Sequence, residues 1–103
     1  ALDYTGFNDV VIKAGHFIVK KSVDGIVEYK PLGYDSSTGK YNDIPSDGTV
    51  IAGVVVRSRL KGEAVAIMDD GRVNDVAMPY QFKDEEQRSA IKTALPNLIF
   101  EHD

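Results

Sequence analysis

Apolar positions along this chain change their rhythm from strand-like to helix-like and back again. Val10-Val11-Ile12 and Phe17-Ile18-Val19 are short apolar runs, and Ile26-Val27-Glu28-Tyr29 mixes both characters, with Lys20, Glu28 and Lys30 free to face water. Short runs bounded by turn formers predict strands. Residues 50–56 show no polar alternation, which predicts a central strand covered on both faces, and Gly53 in its middle predicts close packing or a bulge. Residues 63–68 and 72–76 predict two more strands joined at Asp70-Gly71. The period then lengthens. Ala90, Ile91, Ala94 and Leu95 fall on one side of a helix of about three turns, with Asp84 as N-cap, Glu85 and Glu86 in the first turn and Gln87 at the capping-box position. Pro96 biases Leu95 away from helical geometry, and Leu98-Ile99-Phe100 makes a closing strand.

Three Asp-Gly pairs punctuate this pattern, in Asp24-Gly25-Ile26-Val27, Asp47-Gly48-Thr49-Val50 and Asp70-Gly71-Arg72-Val73. Asp-Gly favours tight hairpins because a type I′ turn needs positive φ at both central residues. Their even spacing suggests a repeat, but nothing outside the four-residue core matches, so they are read as three turns. Between the first two, residues 33–40 are rich in turn formers and predict an exposed loop. The fold class expected is mainly β (α+β): a small β-rich single domain over residues 10–103, with one short C-terminal helix and a closing strand, preceded by an N-terminal arm over residues 1–9.

Composition narrows the function. The chain has 103 residues, 43% apolar and 27% charged, which is ordinary globular material for one domain. A formal charge of −4 argues against non-specific nucleic-acid binding, and the only basic clusters, Lys20-Lys21 and residues 57–61, read as a strand end and a polar loop. The absence of cysteine removes disulfides, thiolate chemistry and Cys-based zinc sites. There is neither an apolar run of membrane-spanning length nor a signal-like N-terminus, and Ala1 is compatible with removal of an initiator Met.

Candidate chemistry is sparse. The loop ending in Gly39-Lys40 superficially resembles a phosphate-binding loop, but five residues separate Gly33 from Gly39 and Tyr41 stands where magnesium binding needs Ser or Thr. Asp69, Asp70, Asn74 and Asp75 do not match a calcium loop, which needs Gly sixth and a distal Glu. His16 and His102 lack partners at ligand spacing, and His16 is expected to be a partly exposed strand residue. No nucleophile with a base is visible, so no enzyme activity, metal or cofactor is expected. Attention moves to surfaces. Ala1, Leu2, Asp3, Tyr4, Thr5, Gly6 and Phe7 place three large apolar side chains at a chain end, which suggests an arm that docks either on its own domain or on a partner.

An ordered series of segments resembles the head decoration proteins of tailed bacteriophages, the group typified by the decoration protein of phage lambda. It runs from Ala14-Gly15-His16-Phe17-Ile18 through Tyr34-Asp35-Ser36-Ser37-Thr38-Gly39-Lys40 to Asp47-Gly48-Thr49-Val50-Ile51-Ala52-Gly53-Val54. It continues through the turn at Gly71, the helix start Asp84-Glu85-Glu86-Gln87 and the strand Leu98-Ile99-Phe100. The resemblance implies a β-tulip-like domain that forms homotrimers at threefold positions of the expanded head and stabilises the shell against internal DNA pressure. It further implies a viral structural protein made in the host cytoplasm and resident on the outer surface of the virion, with the major capsid protein as partner and no role for nucleic acid or membrane. Capsid contacts would come from an N-terminal arm, here Ala1 to Phe7, which is shorter and more aromatic than the Pro-, Thr- and Ala-rich arm of lambda's protein. Strand addition by such an arm supplies main-chain hydrogen bonds, and three arms per trimer supply avidity. The alternative is a ligand-binding β module, carbohydrate-binding or adaptor, with Tyr4, Tyr29, Tyr34, Tyr41 and Tyr80 as stacking candidates.

Overall fold

The computed structural model describes residues 2–4, 7, 9–45, 47–69, 71–74 and 78–101. In chain order it contains β1 (Val11–Ile12), β2 (Phe17–Val23), β3 (Ile26–Pro31), β4 (Tyr34–Asp35), β5 (Lys40–Tyr41), β6 (Val50–Val55), β7 (Arg59–Leu60), β8 (Ile67–Met68), β9 (Gly71–Asn74), α1 (Glu85–Ala94) and β10 (Leu98–Glu101). The chain is thus a β-rich domain with one short helix and a closing strand. Its main sheet has the order β3-β2-β6-β8, and three two-stranded pairs, β1-β7, β4-β5 and β9-β10, surround it.

The first Asp-Gly pair makes the hairpin its sequence predicts. Val23 faces Ile26 across a two-residue turn in which Asp24 and Gly25 have φ of 51° and 80°, the positive pair a type I′ turn requires. The second pair is a turn of another kind. Asp47 accepts hydrogen bonds from the Thr49 amide (3.3 Å) and hydroxyl (2.6 Å) and pairs with Lys21 at 2.9 Å, so it fastens the start of β6 to β2 instead of closing a hairpin. The third corrects an expectation. Among the described residues the segments 63–68 and 72–76 do not pair as a hairpin: β8 pairs antiparallel with β6, while β9 pairs in parallel with β10. Asp-Gly specifies a local bend but not which strands meet, and α1 supplies the long crossover that a parallel pair needs. Asp70, Asp75 and Val76 lie outside the described residues.

Strand β6 is interior, as its unbroken apolar run predicts. Its residues enter two cores: Ile51 and Val54, three apart but on one side because the register slips between them, join Phe17 and Val19 of β2 under Ile91, Leu95 and Leu98, whereas Val55 joins Ile18, Ile12 and Phe7 on the other face. Gly53 serves both predicted purposes. The β2–β6 register slips beside it, Ile18 facing Gly53 and Val19 facing Ile51, and a Cβ there would collide with the Met68 carbonyl oxygen and come within 2.8 Å of Ile67 Cγ2.

The helix starts where its cap predicts. The Asp84 carboxylate accepts from the Gln87 amide at 2.8 Å, and Gln87 Oε1 accepts from the Lys83 amide at 2.7 Å, one residue before the usual capping-box position. Its buried face is Gln87, Ile91 and Leu95, an i, i+4, i+8 line, while Ala90 and Ala94 are exposed, which narrows the face read from sequence. Gln87 earns its burial by donating to the Asn42 carbonyl at 2.9 Å, so the helix is tied to the segment after β5.

Candidate functional site

The residues brought together most tightly are aromatic and distant in sequence. His16 precedes β2 and extends its pairing to β6, because its carbonyl accepts from the Val55 amide at 3.0 Å. This backbone position drives the ring inward, to 1% exposure, contrary to the expected partly exposed strand residue. Four rings surround it at steep angles: Phe7 at 5.6 Å, Tyr34 at 5.8 Å, Tyr41 at 5.4 Å and Tyr80 at 5.6 Å between centroids. Its Nε2 lies 2.9 Å from the Leu32 carbonyl oxygen. A carbonyl only accepts, so Nε2 carries the hydrogen and the neutral ring leaves Nδ1 as the basic atom. Burial pushes the His16 pKa down, against opposing pulls from the Leu32 carbonyl and the Asp9 carboxylate.

The surrounding tyrosines are held by short elements. Tyr34 and Tyr41 face each other across the β4–β5 pair, so the predicted loop over residues 33–40 is a small hairpin whose turn is organised by Asp35. Tyr41 is buried, accepts from the Phe17 amide at 3.2 Å and has its phenol pushed well above the ordinary range by burial. Tyr80 stacks on Tyr34 with centroids 4.1 Å apart and donates to Asp9 at 2.7 Å. Gln81 fixes this segment beside β5, its carbonyl accepting from Tyr41 at 2.9 Å and its amide donating to Gly39 at 2.8 Å. Four of the five tyrosines proposed for ligand stacking are therefore packed against other rings, Tyr4 against Phe7 at 5.7 Å, and only Tyr29 stands on an exposed strand.

The N-terminal residues rest on their own domain. Phe7 is 6% exposed in the core with Ile12, Ile18 and Val55, and half-buried Leu2 and Tyr4 pack against it. Lys61 Nζ donates to the Phe7 carbonyl at 2.7 Å. Asp3 donates its amide to the Tyr29 carbonyl at 2.7 Å. Counting from the Val23–Ile26 pair that closes the turn, Tyr29 opposite Lys20 is a pair without mutual hydrogen bonds, so this carbonyl points off the sheet edge. Asp3 thus meets the open edge of β3 as an added strand does. Ala1, Thr5 and Gly6 of the expected arm lie outside the described residues.

A second surface was not foreseen. Beyond Val19 the β2–β3 hairpin projects past the core, leaving Ile26 67%, Val27 48% and Val50 50% exposed. Register places Tyr29, Lys20 and Val50 in one row across β3, β2 and β6, with Val27 on the same face and Ile26 and Val23 on the other. The sequence assigned Ile26 and Val27 to a strand, and only the three-dimensional extent of the cores shows that they lie beyond them, exposed.

Elsewhere the chemistry is of charges already engaged. Asp43, at the rim of an open cleft of about 330 Å³ beside Tyr34 and Asn42, pairs with Lys83 at 2.8 Å. Hydrogen bonds from Thr49 and Lys21 hold the Asp47 carboxyl well below its usual range. Among the described residues no three His, Asp or Glu side chains gather as a metal site would require, and no helix is long and apolar enough to cross a membrane.

Comparison with protein-family models, with curated proteins and with solved structures found no match.

Proposed function

We propose that this chain is a capsid decoration protein: a non-catalytic module that trimerises at threefold positions of an expanded phage head and clamps neighbouring shell subunits against internal pressure. What carries the reading is the resemblance of an ordered series of segments to that group. In the structure these segments open β2 at Gly15-His16-Phe17, form the Asp47 turn and β6, and cap and follow α1. The β2–β3 hairpin adds support, because Val27, Tyr29 and Val50 stand exposed on one face of the main sheet, where a further subunit can cover them. The partners are the major capsid protein and further copies of the chain, on the outer face of the virion.

Within this reading Ala1 to Phe7 remain the proposed capsid-binding arm. Their docking on the shell requires Leu2, Tyr4 and Phe7 to leave the body on which they rest. The test is binding of the purified chain to expanded heads stripped of decoration, with native mass spectrometry of the free and bound protein. Saturable binding as a trimer is expected. A strict monomer that ignores such heads overturns the proposal.

A further inference from the structure

We propose that His16 is an acid-sensitive latch for the N-terminal segment: proton uptake on its buried ring favours the form in which Phe7 and its neighbours have lifted away. The inference does not depend on the capsid reading.

The geometry supplies the switch. The ring is sealed by Phe7 from the N-terminal segment, Tyr34 from β4, Tyr41 from β5 and Tyr80 from the segment before α1. Among the described residues the ring's one hydrogen bond, through Nε2, is already spent on the Leu32 carbonyl. Among the described residues the titratable groups facing it are the three phenols and, acting through space, the Asp9 carboxylate, which is occupied by the Tyr80 hydroxyl. A second proton therefore enters a pocket walled mainly by rings, and water is the better host for the cation. The depressed pKa agrees in direction, with desolvation as its leading cause.

The wall that yields is Phe7, which belongs to no strand. Tyr34 and Tyr41 are paired across β4–β5, and Tyr80 is stacked on Tyr34 and anchored through both backbone bonds of Gln81. Among the described residues the segment of Phe7 makes the Asp3–Tyr29, Lys61–Phe7 and Asp9–Tyr80 bonds, and Phe7 itself is buried. Opening there hydrates His16 while leaving the main sheet paired.

The sign follows from linkage. His16 binds its proton more weakly in the closed form, so the closed form is fully favoured above the ordinary pKa of about 6.5 and loses ground as pH falls from there toward the depressed value. Between pH 7.5 and pH 5.0 one such proton multiplies the opening constant by up to roughly 30-fold.

The experiment is hydrogen exchange of the full chain at those two pH values, corrected for intrinsic rates, with an NMR titration of the His16 ring in the same protein. Opening at Leu2, Asp3, Tyr4, Phe7 and Asp9 is expected to rise, by up to roughly 30-fold, while β2 stays protected, and the ring is expected to titrate below the ordinary histidine value. His16→Gln, whose amide retains a donor toward Leu32, is expected to abolish the acid response. Asp9→Asn is expected to keep it. Titration of His16 at or above the ordinary value, unchanged opening, β2 opening in step, an acid response surviving in His16→Gln, or its loss in Asp9→Asn each overturns the latch.

Discussion

Replacing Gly53 by Ala adds a single methyl group at the most crowded point of the main sheet. The new Cβ is directed at the carbonyl of Met68 and lies 2.8 Å from Ile67 Cγ2. A side-chain rotation can relieve the second contact but not the first, because Met68 belongs to the backbone of β8. That strand is joined to β6 by only two residue pairs, Val54 with Met68 and Val55 with Ile67, so the sheet accommodates the methyl by letting β8 move off. Overpacking of this kind costs about 1–3 kcal/mol. Losing one β6–β8 hydrogen bond adds about 1 kcal/mol, and the reduced backbone freedom of Ala in the unfolded chain returns about 0.5–1 kcal/mol. A net loss of about 2–3 kcal/mol is expected, a fall in melting temperature of roughly 10–20 °C for a domain of this size. Urea unfolding followed by circular dichroism gives the first figure, and amide exchange at Ile67 and Met68 shows whether β8 has loosened. A variant within about 0.5 kcal/mol of the parent, or one destabilised with β8 still fully protected, refutes the argument from space.

Other expectations are simpler to state. Asp84→Ala leaves the Gln87 amide without its cap and lowers stability by about 1 kcal/mol in thermal melts, an effect that Asp84→Asn largely avoids. The depressed Asp47 carboxyl stabilises the fold above the unfolded carboxylate value near 4 and loses that contribution as pH falls below it, so stability measured from pH 5 to pH 2 should decline less steeply in Asp47→Asn. Deleting residues 1–7 removes Phe7 from its core and lowers stability by about 2–4 kcal/mol in urea titrations, and unchanged stability would show that its burial contributes nothing.

What the sequence revealed and what it concealed divide along the range of the interaction. The Asp24-Gly25 hairpin, the Asp84 cap, the Pro96 stop and the interior strand β6 depend on neighbours within a few residues, and all stand where the pattern places them, although Val50 at the start of β6 is 50% exposed. The pairing of β9 with β10 and of β8 with β6 depends on which edges meet after collapse, and the Asp-Gly signal at residues 70–71 holds no information about that. His16 was misjudged for the same reason. Its burial is made by residues 7, 34, 41 and 80, none of them local, and the only nearby hint was its place before the apolar run Phe17-Ile18-Val19. The terminal aromatics were legible as residues needing cover, since three large apolar groups at a chain end are costly in water. That the cover includes their own sheet was one of two open readings.

Two surfaces compete for the proposed docking role, and linkage separates them. The hairpin displays Val27, Ile26 and Val50 already exposed, so contact through it needs no rearrangement. Contact through Leu2, Tyr4 and Phe7 first requires release of a buried Phe and of the bonds to Tyr29 and Lys61, and the apparent affinity falls by the fraction of molecules in which release has occurred. Lys61→Ala removes the donor on the Phe7 carbonyl and makes release easier by about 1 kcal/mol, so an arm-mediated complex should tighten about fivefold while a hairpin-mediated one stays unchanged. Val27→Asp places a charge on the exposed face of the hairpin, two residues from Tyr29, and should do the opposite, weakening only the hairpin-mediated complex. Measured side by side on stripped heads, opposite responses identify the surface in contact. Indifference to both substitutions would exclude both surfaces together.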